Sequence, residues 1–79
     1  MKVRVRYFAA FREAVGMEAE TIETSAETAG ELFSECTGRH TGLGNFPSSL
    51  VAVNDEMAAW ESSLNENDEV LFFPPVAGG

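Results

Sequence analysis

The sequence predicts an α+β fold, a mixed sheet of about five strands packed on one main helix. Three observations lead there: an alternating opening segment, one capped amphipathic helix in the first half, and three short apolar segments in the second half. At 79 residues the chain makes one domain, residues 1–79, with residues 74–79 as an extended C-terminal tail.

Residues 2–8 alternate, with Val3, Val5 and Tyr7 on one face and Lys2, Arg4, Arg6 and Phe8 on the other, which is the pattern of a half-buried strand. Residues 9–15 read as a short helical turn closed by Gly16, and residues 18–24 as a second strand with Ile22 inward. Thr28 and Glu31 form a Thr-x-x-Glu capping box, so a helix starts at about Ala29. Its apolar positions Ala29, Leu32, Phe33 and Cys36 fall on one face, and Gly38 fits its C-terminal cap. Residues 39–49 read as a loop. Residues 50–53 and 57–60 flank the turn Asn54-Asp55-Glu56 as a hairpin, Leu64 anchors a polar stretch, and residues 69–73 make the last strand.

Strand, strand, helix and three strands suit a β-grasp, in which the first and last strands run parallel at the centre and the helix crosses one face. Parity then sends Val70 and Phe72 to the helix side and leaves Leu71 and Phe73 outward. Phe8 and Phe73 become neighbours on the open face, Met57 extends the patch, and Arg12 flanks it. Large apolar groups on an open face beside the emerging tail read as a docking surface.

Net charge is −8, from 13 acidic and 5 basic residues, which argues against a nucleic-acid partner and for one that is basic somewhere. An acidic, lysine-poor balance also suits a high-salt cytoplasm. One cysteine, no export signal and no long apolar run point to a cytoplasmic chain without a membrane partner.

Few side chains offer chemistry. Cys36 lies on the apolar stripe of the helix and reads as a core cysteine, while His40 reads as a surface loop residue without a second ligand at metal spacing. No metal site is expected. The eleven glutamates read as solvated surface. Arg4 and Arg6 suit either acidic partner groups or cross-strand pairing with acids such as Glu23. Gly42-Leu43-Gly44 lacks the lysine of a phosphate loop and reads as a flexible turn.

The end of the chain is different. Pro74 and Pro75 favour extended backbone, and the six residues after Phe73 span roughly 18 to 20 Å at full extension. Gly78 and Gly79 let a narrow channel close on their backbone. The Gly79 carboxylate is the most usable reactive group, and its activation belongs to a partner.

The segments Tyr7-Phe8-Ala9-Ala10-Phe11-Arg12-Glu13, Val53-Asn54-Asp55-Glu56-Met57 and the ending Asp68-Glu69-Val70-Leu71-Phe72-Phe73-Pro74-Pro75-Val76-Ala77-Gly78-Gly79 resemble the MoaD/ThiS sulfur-carrier family. Within it the resemblance is strongest to the small subunits of molybdopterin synthase. It implies a ubiquitin-like fold and a sulfur carrier without an active site of its own. Gly79 would be adenylated by an E1-like adenylyltransferase, which uses ATP and magnesium, and converted to a thiocarboxylate with sulfur from a donor protein. This chain would bind no cofactor. The tail, Pro74, Pro75, Val76, Ala77 and Gly78, would enter the large synthase subunit, in a heterotetramer, to supply sulfur for the molybdopterin dithiolene. The resemblance also places Phe8, Arg12, Met57 and Phe73 at partner interfaces. Two other readings stay open: a ubiquitin-like modifier joined through Gly79 to lysines, and a sulfur carrier for tRNA thiolation, thiamine or cysteine synthesis.

Overall fold

Alternation decides the first strand, β1 (Lys2–Tyr7): Val3, Val5 and Tyr7 are buried while Lys2 and Arg4 face solvent. The computed structural model of the chain describes residues 1–45 and 49–75, so the expectations for Val76, Ala77, Gly78 and Gly79 lie outside the described residues. After β1 come α1 (Ala10–Val15), β2 (Ala19–Glu23), α2 (Ala29–Arg39), a 3-10 turn (Thr41–Asn45), β3 (Leu50–Val53), β4 (Glu56–Ala58) and β5 (Glu69–Phe73). The sheet runs β2-β1-β5-β3-β4, with β1 and β5 parallel and every other pair antiparallel. This is the expected β-grasp.

Helix α2 starts where the capping box places it. Thr28 Oγ1 accepts from the Glu31 amide at 3.2 Å and the Glu31 carboxylate accepts from the Thr28 amide at 3.3 Å, which satisfies helix-start donors. The segment after β4 fastens the same end: Gly30 N donates to the Trp60 carbonyl and Ala29 N to the Ser62 carbonyl. A Cβ at Gly30 would lie 3.2 Å from the Trp60 oxygen, so glycine permits this approach.

One core lies between α2 and the sheet. Ala29, Leu32 and Cys36 meet Val3, Val5, Tyr7, Ile22, Val51, Val70 and Phe72, with Phe11, Leu43 and Leu64 closing its ends. Phe33 and Trp60 are partly buried on its flank, and the Phe33 ring stands edge-on to Phe72 at 4.8 Å.

Several expectations need correction. Gly38 is not the cap, because α2 continues to Arg39 and His40 closes it, donating its amide to the Cys36 carbonyl. Residues 41–45 of the expected loop form a 3-10 turn, because Leu43 is buried and pulls the segment onto the core. β4 begins at Glu56 and ends at Ala58. The turn needs only Asn54 and Asp55, both at positive φ (51° and 70°), as in the two-residue turns that match strand twist. β2 is a residue shorter at each end than expected.

Candidate docking face and tail exit

The tail exit is fixed by hydrogen bonds at the end of the central strands. Tyr7 pairs with Phe72 in the parallel register, and Phe8 N donates to the Phe72 carbonyl at 3.1 Å. Phe8 lies just past β1, and the register sets it beside Phe73, the residue before Pro74. Phe8 is 60% exposed, because its backbone turns away at once: Phe11 N donates to the Phe8 carbonyl, closing a turn whose first central residue, Ala9, has φ 53° and ψ −125°. Those angles belong to a type II′ turn, where glycine is preferred.

Cross-strand neighbours extend the face. Leu50 pairs with Phe73, and Met57, Ala52 and Leu71 form one row across β4, β3 and β5. All lie opposite the side carrying Val51, Val70 and Phe72, so Met57 (64% exposed) and Leu50 stand with Phe73 and Phe8 on the open side. Phe8, Met57 and Phe73 thus lie on one face, Phe8 beside Phe73 and Met57 two strands from β5. Leu50 joins them with no local signal to mark it, since Leu50-Val51-Ala52-Val53 is apolar throughout and shows no alternation. Arg12 is exposed on α1, four residues beyond Phe8. Pro74 is half-buried and Pro75 exposed.

Away from the tail the face becomes charged. Arg4 and Arg6 both approach the Glu69 carboxylate, at 3.9 and 3.5 Å. Their counter-ion is therefore on β5 and not Glu23 on β2, because Arg4 stands opposite Glu69 in the parallel register. Glu23 lies 3.7 Å from the Met1 ammonium. Exposed pairs at these distances add little stability.

A second polar group sits on the other side of the sheet. The Tyr7 hydroxyl donates to Glu20 Oε2 at 2.6 Å, His40 Nε2 lies 2.7 Å from the same oxygen, and Arg39 Nη1 lies 3.7 Å from Oε1. His40 is thus not a free surface residue: its side chain is 17% exposed and its ring stands edge-on to Tyr7 at 5.7 Å. Glu20 is likewise not a solvated glutamate, and sequence spacing could not show that β2 and the end of α2 would meet. Burial acts to raise the Glu20 pKa, but the hydrogen bonds from Tyr7 and His40, with attraction to His40 and Arg39, win and hold it below its ordinary value. Burial first, then the bond to Glu20, pushes the Tyr7 phenol up. Burial also pushes the Cys36 thiol up to about 11, which fits an inert core cysteine.

Among the described residues no cluster of His, Cys, Asp or Glu could hold a metal ion. None of their helices is long and apolar enough to cross a membrane. The chemistry this arrangement offers is presentation, with an apolar face placed where the chain leaves the domain.

Known proteins share this architecture. The ThiS family model matches residues 5–79. The molybdopterin synthase sulfur carrier subunit of Haemophilus influenzae is 32% identical over 98% of this chain and 99% of its own length. The crystal structure of SAMP1 from Haloferax volcanii covers all of both chains with a TM-score of 0.85 at 25% identity. A chain in the complex of subunits 1 and 2 of the molybdopterin-converting factor from Helicobacter pylori also covers both fully, with a TM-score of 0.68 at 27% identity. With a family match from β1 to the last residue and a curated relative aligned almost end to end, this ubiquitin-like β-grasp chain belongs to the MoaD/ThiS sulfur-carrier family.

Proposed function

We propose that this chain is the sulfur-carrying small subunit of a molybdopterin synthase, and that sulfur travels on Gly79. The observation that carries the reading is the juxtaposition at the tail exit: Phe8 and Leu50 flank Phe73, where β5 gives way to Pro74-Pro75-Val76-Ala77-Gly78-Gly79, and exposed Met57 lies on the same face two strands away. A partner seated on that face would receive the tail in its active site. The names of the curated relatives and the two-subunit Helicobacter pylori complex support the same partner.

The chemistry starts from a free α-carboxylate. A Gly79 carboxylate oxygen attacks the α-phosphorus of ATP in an E1-like adenylyltransferase and expels pyrophosphate, with magnesium and phosphate-binding groups supplied by that enzyme. Hydrosulfide supplied by a donor protein then attacks the acyl carbon: a C–S bond forms, the C–O bond to AMP breaks and AMP leaves, so one oxygen is replaced by sulfur. In the large subunit, the thiocarboxylate sulfur bonds to a carbon of the dithiolene precursor, and water then cleaves the acyl C–S bond, which leaves the sulfur on the precursor and regenerates the carboxylate.

Coexpression with a molybdopterin synthase large subunit tests the partner. A complex stable through size-exclusion chromatography is expected, and two well-folded proteins that elute separately would count against the reading. The similarity to SAMP1 favours a second reading, conjugation to lysines of other proteins through Gly79. Higher-mass adducts in cells, lost on deleting Gly79, would support it.

A further inference from the structure

Of the chain's three methionines and one cysteine, Met57 is the most exposed, at 64% against 39% for Met17. Its place in the sheet explains this. β4 is an outer strand, so no further strand flanks Met57 on one side, and on the other it stands opposite Ala52, whose single methyl gives no shelter. Met1 packs against the core, and Met17 lies in the turn between α1 and β2, outside the sheet. Cys36 is fully buried, and burial pushes its thiol up to about 11, so the thiolate that oxidants attack is scarce at neutral pH.

We propose that Met57 is a reversible oxidation site, and that its sulfoxide closes the open face to the large subunit. The inference rests on the reading that the large subunit docks on this face. Hydrogen peroxide transfers one oxygen to the thioether: an S–O bond forms, the O–O bond breaks, sulfur loses two electrons and the other peroxide oxygen leaves as water. A sulfoxide reductase reverses the step with two thiols, which become a disulfide while the sulfoxide oxygen leaves as water.

The effect on docking follows from polarity. Met57, Ala52 and Leu71 make an apolar row across β4, β3 and β5. A thioether leaves water at little cost, and its unbranched chain adapts to an apolar partner surface. A sulfoxide oxygen is a hydrogen-bond acceptor, and burying it along that row without a donor carries the cost of an unpaired polar group. The fold does not share that cost, because Met57 lies outside the core cluster and its pairing with Ala52 is made by backbone. Oxidation there acts on binding and leaves the domain intact.

The test treats the full chain alone with hydrogen peroxide, removes the oxidant with catalase and follows each methionine by peptide mapping, so this arm needs no partner. Met57 should form sulfoxide faster than Met17, with an unchanged circular dichroism spectrum. In calorimetric titration the oxidised chain should bind the large subunit at least about fivefold more weakly, the least that one unpaired buried polar group predicts. Methionine sulfoxide reductases for both epimers, with dithiothreitol, should restore the affinity. Each variant is compared with its own untreated form: Met57→Leu should lose the peroxide response and Met17→Leu should keep it. Met57 oxidising no faster than Met17, or its sulfoxide binding as tightly as the untreated chain, would overturn the inference and leave the functional reading standing. A folded, untreated chain that does not bind the large subunit would instead overturn that reading, and the docking step with it.

Discussion

The Phe8 amide donates to the Phe72 carbonyl at 3.1 Å, and this bond marks where the interior of the domain gives way to its open apolar face. Phe72 is fully buried against Tyr7 and Phe33, whereas Phe8 is 60% exposed. The same backbone ladder thus ends in one aromatic buried in the core and one exposed on the open face.

Truncating the two residues should separate stability from binding. Phe72→Ala removes a buried ring and is expected to cost about 3–5 kcal/mol, enough to unfold much of a domain this small. Phe8→Ala should change stability by no more than about 0.5 kcal/mol yet weaken large-subunit binding by more than about 1 kcal/mol. Phe73→Ala should also cost binding more than folding. Denaturant melts beside calorimetric titration check all three.

The turn that displays Phe8 is strained. Ala9 holds φ 53° and ψ −125°, a conformation that glycine adopts freely. Ala9→Gly should therefore stabilise the domain by about 1 kcal/mol, the lower end of what such strain stores. A lower urea midpoint in the variant would show that Ala9 is not strained.

Acid should weaken the Tyr7–Glu20–His40 group. The folded-state pKa of Glu20 lies below its ordinary 4.5, so its contribution is present above about pH 4.5 and is lost as pH falls below that value towards the folded-state pKa. Glu20→Gln should flatten the stability profile in that window and lower stability at pH 7. Chemical denaturation of both proteins between pH 3 and 7 measures this, and parallel profiles would contradict it.

The capping box gives a local test. Thr28→Ala removes the acceptor of the Glu31 amide and should cost about 1 kcal/mol. That corresponds to a fall in Tm of roughly 4–8 °C for a domain of this size. Thr28→Ser should recover most of it.

Features set by a local period or a local motif were legible in the sequence. Val3, Val5 and Tyr7 declared their face by alternation, Thr28 and Glu31 declared a helix start, and Phe8 and Phe73 could be paired because parity and a parallel register suffice to place them. Long-range contacts were not legible. Nothing near His40 or Glu20 in the chain shows that the end of α2 will lie over β2, and the glycines around Leu43 hide a residue that the core claims. Leu50 was silent because its strand is apolar on both faces. Arg4 and Arg6 pair with a different acid from the one alternation suggests because Glu23 and Glu69 flank β1 from opposite sides, and only the register chooses between them.

The central claim is that sulfur is carried on Gly79, and intact-mass measurement tests it most directly. The chain is incubated with its activating enzyme, ATP and a sulfur donor, beside a variant lacking Gly79. Replacement of one oxygen by sulfur, mapped to the C-terminal peptide and absent in the variant, is the expected result. An unchanged mass with an enzyme shown to be active on another carrier would contradict it.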